Sequence, residues 1–131
     1  MAEPEVLDET RCWELLAAAP YGRLAFGAEG RIEVLPLNHL VADGAIYLRS
    51  APGSKLRHVG HAAPVAFEVD GTGPDGAWSV VAHGRVARLD DDAEIEASGV
   101  QRLATWHPGE KFNYLRVTVE EIAGRSFPVA G

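Results

Sequence analysis

Between Gly44 and Phe67 the chain carries no aspartate or glutamate, yet it holds Arg49, Lys55, Arg57, His58 and His61. In a protein of net charge −7, with 12 basic against 19 acidic residues, that is a local island of positive charge. Its centre reads Arg49-Ser50-Ala51-Pro52-Gly53-Ser54-Lys55. A strand ends there, Pro and Gly turn the chain, and a short helix is expected to open at Ser54. Backbone N–H groups at a helix start attract anions. Ser50 and Ser54 add hydroxyl donors, and Arg49 and Lys55 add charge. Charge-assisted hydrogen bonds contribute about 1.5–3 kcal/mol each, so the set suits a terminal phosphate. A plain strand–turn–helix junction with solvated basic residues has the same pattern.

Other reactive side chains point to less. Cys12, the one cysteine, sits on the apolar face of a helix with nothing beside it to lower its pKa, and reads as a buried structural thiol. His58 and His61 have a spacing that can bind metal, but no carboxylate or thiol lies between Asp43 and Glu68 to complete a site, so no metal is expected. Trp13 reads as a packing residue. Trp106, beside Pro108 and Gly109, stands in a loop, an unusual place for a purely structural tryptophan. No Ser/His/Asp set, Walker-type loop or dinucleotide fingerprint is present.

The elements that must position these residues are short and mostly extended. Cys12, Leu15, Leu16 and Ala19 recur at helical spacing, so Asp8–Ala19 reads as an amphipathic helix capped by Asp8 and stopped by Pro20. Strands follow at Tyr21–Gly27, Ile32–Leu37, Ala45–Arg49 and Pro64–Val69, with turns at 28–31 and 42–44. Gly53–Ala62 is a short helix, Gly71–Gly76 a loop, and Ala77–Leu89 a long strand. Asp90-Asp91-Asp92 starts an acidic helix reaching about Ala104. Phe112–Val119 and Ile122–Phe127 read as two last strands. Short antiparallel strands with tight turns imply a barrel or sandwich.

The 131 residues suit one domain, 1–131, with residues 1–7 expected to be flexible. The acidic balance argues against nucleic acid and against an anionic membrane surface. One cysteine, an N-terminus that is not a signal peptide and the lack of a long apolar run point to a cytoplasmic protein.

The succession of segments resembles the pyridoxamine 5′-phosphate oxidase-like split barrels that bind flavin mononucleotide (FMN), and their small, nitroimidazole-resistance-like branch in particular. Ile32-Glu33-Val34-Leu35-Pro36-Leu37-Asn38-His39 is similar to the family's strand along the flavin ring. Tyr47 to Leu56 is similar to its phosphate-binding strand and turn, Pro64 to Asp70 to the next strand, and Trp78 to Val86 to the following long one. Gly124-Arg125 matches a closing motif. The resemblance implies a mainly β fold, a six- to seven-stranded antiparallel split barrel with a few short peripheral helices. It also implies a homodimer with FMN at the subunit interface. Pro36, Leu37 and Asn38 would then meet the ring's polar edge, and Arg49, Ser50, Ser54 and Lys55 the phosphate. Trp78, Ser79 and Val80 match a stretch that reaches the cofactor, although Trp78 also suits an edge or core position. Trp106 and Arg125 match late positions that contribute from the partner. His39 is expected to face the flavin or solvent, with solvent exposure preferred to a haem-ligating role.

The chain lacks the C-terminal extension and basic substrate motif of the vitamin-processing oxidases, so their activity is not expected. The implied function is a flavin-dependent oxidoreductase acting on a small molecule. Alternatives are a non-catalytic flavin storage or sensor protein, or the same fold holding FAD, haem or the deazaflavin coenzyme F420. The anionic tail of the last would want an extended basic groove, which a chain with 12 basic residues hardly supplies.

Overall fold

Asp8 accepts a hydrogen bond from the Arg11 backbone N–H at 2.8 Å and so caps the first helix, α1 (Glu9–Ala18). Cys12 and Leu16 on one face of α1 are fully buried against the sheet. The computed structural model describes residues 3–50, 56, 59–103 and 113–129, with Ser50 and Asn113 described by their backbones alone.

Eight strands form one antiparallel sheet: β1 (Glu5–Val6), β2 (Gly22–Ala28), β3 (Arg31–Leu37), β4 (His39–Ala42), β5 (Ala45–Ser50), β6 (Ala63–Gly73), β7 (Gly76–Arg88) and β8 (Asn113–Pro128). The order is β3-β2-β6-β7-β8-β5-β4, with β1 on β8. The sheet curls without closing, because the successive strands β3 and β4 are its two ends and do not pair. That is the expected split barrel, with two strands beyond those read from the sequence. The first is β1, which pairs Glu5 and Val6 with Ser126 and Arg125 inside the segment expected to be flexible. The second is β4, which pairs His39 with Leu48.

Period-two alternation decides the faces. Leu24, Phe26, Ile46, Leu48, Val65, Phe67, Val69, Val80, Ala82 and Val117 point inward and form the core with α1. A second cluster of Ala45, Tyr47, Leu89, Ile95 and Val100 lies on the other face of β5. It is covered by α2 (Asp92–Ser98) and a 3-10 turn (Val100–Arg102).

Several boundaries differ from the reading above. The acidic helix ends at Ser98 rather than Ala104, because Gly99 adopts a left-handed conformation (φ 76°) that closes it. The Gly71–Gly76 loop shrinks to a turn at Pro74-Asp75, since β6 and β7 stay paired to Gly73 and Gly76. The two last strands are one, β8. A bulge absorbs Glu120, with His83 opposite Glu121 and Gly84 opposite Val119. The turn after β4 is tight, with Asp43 and Gly44 both at positive φ (50° and 75°), as a two-residue hairpin requires. Half of the expected Gly53–Ala62 helix lies outside the described residues, and its last four positions are not helical: 59–60 are irregular and 61–62 form a turn, with Ala62 at positive φ (58°). Among the described residues no helix is long and apolar enough to cross a membrane.

Candidate functional site

The outer face of β3-β2-β6-β7-β8 is built in rows. In one, Pro36 lies opposite Arg23, Arg23 opposite Glu68, Glu68 opposite Val81, and Val81 opposite Ala123. In the next, Val34, Ala25, Ala66, His83 and Glu121 follow one another. In a third, Asp70 faces Ser79 and Ser79 faces Arg125. Ala25 and Ala66, and beside them Val81 and Ala123, put short side chains in the middle of this face, between the Arg23–Glu68 pair and the His83–Glu121 pair. At its β3 edge Ile32 and Val34 are 82% and 57% exposed.

Three residues expected at the site, Pro36, Ser79 and Arg125, therefore share one face. On the same face, between Pro36 and Ser79, lies a charged network that the linear pattern did not single out. The Arg23 Nη1 donates to Glu68 at 2.6 Å and to Asp70 at 2.9 Å. Hydrogen bonding to Glu68, then the Asp70 charge, holds the guanidinium more firmly protonated. Burial, with the Asp70 carboxylate beside it, pushes the Glu68 carboxyl above the usual range, and Arg23 opposes that. Alternation with buried Leu24, Phe67 and Val69 marks Arg23, Glu68 and Asp70 as outward. Nothing linear says that β2 and β6 are neighbours.

Other expected residues take different places. Leu37 and Val80 point into the core, 8% and 0% exposed, and offer this face only backbone groups. Trp78 also points inward, against Gly71. It lines a cavity of about 430 Å³ between β1, α1 and the β6–β7 turn, together with Leu7, Arg11, Leu15 and Ser126. Asn38 joins β3 to β4. Because His39 pairs with Leu48, Asn38 and Arg49 sit at the same end of β4 and β5. The Arg49 Nη1 donates to the carbonyls of Gln101 (3.0 Å) and Leu103 (2.7 Å), and its guanidinium lies 6.0 Å from the Tyr114 ring centre. Part of its charge thus serves the end of the 3-10 turn. The side chain of Ser50, and all of Ser54, Lys55 and Trp106, lie outside the described residues, as do Arg57 and His58.

His39 overturns the expectation of solvent exposure. It is 7% exposed, with Nε2 2.7 Å from the Leu16 carbonyl and its ring 4.9 Å from that of Phe67. Leu16 lies in the last turn of α1, whose carbonyls lack helical partners, and the imidazole satisfies one. Burial pulls its pKa down, with the Leu16 carbonyl opposing. Cys12 is buried as expected, and burial first, then Asp8 and Glu9, pushes its thiol pKa up. Trp13 packs on the core.

Comparison with known proteins adds an independent line. Residues 8–126 match the model of the family described as pyridoxamine 5′-phosphate oxidase. A Corynebacterium glutamicum structure, provisionally assigned as a pyridoxamine 5′-phosphate oxidase, is similar at TM-score 0.85 and 32% identity, over 97% of this chain and 100% of that one. An FAD-binding protein from Mycobacterium smegmatis is similar at TM-score 0.82 and 28% identity, over 96% and 100%. Another from Mesorhizobium loti is similar at 0.79 and 26%, over 96% and 99%.

Proposed function

The chain belongs to the pyridoxamine 5′-phosphate oxidase family, and from that premise we propose that it binds a flavin on its outer face and works as a flavin-dependent oxidoreductase on a small molecule. The observation that carries the reading is that Pro36, Ser79 and Arg125, from three strands, share one face with the short side chains of Ala25, Ala66 and Ala123. A planar ring can lie over short side chains, and an edge rich in acceptors suits the arginines on the same face.

When bound, a flavin supplies the electron and hydride transfer. The chain's own task is to bind, orient and shield. Pro36, Leu37 and Asn38 would hold the ring's polar edge, and Arg49, Ser50, Ser54 and Lys55 the phosphate. A homodimer belongs to the proposal. Pro36 and Val81 are three strands apart, about 14 Å at ~4.8 Å per strand. Arg49 and Arg125 sit against opposite ends of β8. Two copies facing each other would close the second group over the first. The named binding partner of two similar proteins, FAD, makes that flavin the one to test beside FMN.

The test is a titration of apo-protein with FMN, FAD and riboflavin, followed by flavin fluorescence. Saturation near one flavin per chain is expected, and no saturable binding at concentrations on the order of tens of micromolar overturns the reading. Reduction of the bound flavin by a nicotinamide, followed by repeated turnover with an acceptor, separates an enzyme from a storage protein.

A further inference from the structure

We propose that Arg23, held by Glu68 and Asp70, is the positioning residue for the polar edge of the bound ring; the proposal rests on the flavin reading above. Arg23 stands directly opposite Pro36 and shares its face. Its Nη1 takes both carboxylates, so the guanidinium plane is anchored at one nitrogen. Nε and Nη2 make no hydrogen bond to the described residues, and the side chain is 42% exposed. A planar group anchored on one side and open on the other is a preorganised donor pair for carbonyl or ring-nitrogen acceptors in a flat heteroaromatic ligand.

Stability alone is a weak reason for this arrangement, since exposed ion pairs contribute little to folding. The three charges also do not stand alone. In the strand register Asp70 stands opposite Ser79 and Ser79 opposite Arg125, so the network's Asp70 end lies two strands from Arg125 on the same face. Arg23 thereby stands between the two groups of residues that the family resemblance assigned to the cofactor. With Glu68 and Asp70 ionised the cluster is net negative, so Arg23 offers the ring directed N–H donors, and its loss would leave two carboxylates uncompensated beside the ring.

The experiment compares wild type with Arg23→Gln, Arg23→Lys and Glu68→Gln, each as the full chain, using FMN and riboflavin as probes. Three readouts are taken: dissociation constants, the midpoint potential of bound flavin, and the thermal unfolding midpoint. Arg23→Gln is expected to weaken both flavins equally, by roughly 10- to 150-fold, and to make bound flavin harder to reduce. Arg23→Lys keeps the charge and should hold the potential near wild type while recovering only part of the affinity. Glu68→Gln loosens the anchor and should cost less affinity than Arg23→Gln. If wild type binds flavin and Arg23→Gln matches it in affinity and potential, the proposal is overturned and the flavin reading stands. If wild type binds no flavin, both fall. If Arg23→Gln does not fold, Arg23→Lys decides, and a potential displaced from wild type counts against the proposal.

Discussion

The imidazole Nε2 of His39 and the carbonyl oxygen of Leu16 lie 2.7 Å apart, tying the last turn of α1 to the first residue of β4. The contact sets the tautomer, because a carbonyl accepts only from a protonated nitrogen: Nε2 carries the hydrogen. Nδ1 is buried without a partner among the described residues.

A pH dependence follows. The folded pKa of His39 is depressed, first by burial, so the unfolded chain binds its proton more readily. The stability held by neutral His39 is complete above the unfolded value of about 6.5. It is lost as pH falls from there toward the folded value. Thermal midpoints measured between pH 8 and 5 should fall for wild type and fall less for His39→Gln, whose amide can still donate to Leu16. Parallel curves for the two proteins would count against the buried neutral imidazole.

Gly124 marks where α1 meets the sheet. A Cβ there would lie 2.9 Å from the Ser79 carbonyl oxygen and 3.0 Å from both Cys12 Sγ and Val80 Cγ2. Gly124→Ala should therefore destabilise by about 1–3 kcal/mol, the usual cost of overpacking. Adding Cys12→Ala should return part of that, since only the sulfur contact is relieved. Urea denaturation of the two single variants and the double variant measures both effects.

The dimer has its own test. Light scattering at micromolar concentration should give twice the 14.0 kDa chain mass. Val34 is 57% exposed on the end strand β3, which suits a surface buried by a second copy. Val34→Glu should give particles of single-chain mass with an unchanged far-ultraviolet spectrum. A dimer that survives Val34→Glu would mean that the copies meet elsewhere.

Lys55 is expected at the phosphate, on the strength of its place in the acid-free segment. Lys55→Ala should weaken FMN by roughly 10- to 150-fold, the loss of one charge-assisted bond. Riboflavin, which lacks the phosphate, should bind both proteins alike. Equal losses for the two ligands would indicate damage to the barrel, and no loss for either would return the turn to a plain junction.

The α2 cap offers a measurement of stability alone. Arg116 pairs with Glu94, and the Tyr47 hydroxyl donates to the same carboxylate at 3.4 Å. Arg116 and Glu94 are part-buried and Tyr47 is buried, so the coupling between Arg116 and Glu94 in a double-mutant cycle should reach about 1 kcal/mol, the upper end for exposed pairs.

The fold class was legible because its determinants are local. Alternation in Pro64–Val69 and Ala77–Leu89 fixes which residues face the core, whatever strand lies beside them. Asp8 and Pro20 bound α1 through bonds made or lost within one turn. The acid-free stretch around Arg49 and Lys55 is equally a property of the linear chain. Tertiary structure decided the rest, through pairings that no local signal encodes. Ile122–Phe127 continues β8 instead of starting anew, because a bulge opposite His83 and Gly84 takes up Glu120. His39 is buried because its partner carbonyl belongs to a helix 23 positions earlier. Arg23 meets Glu68 and Asp70 across 45 and 47 positions, once β2 lies against β6. Side-chain period determines that a residue points outward, but only strand order determines which outward residues stand together, and the site is made of that company.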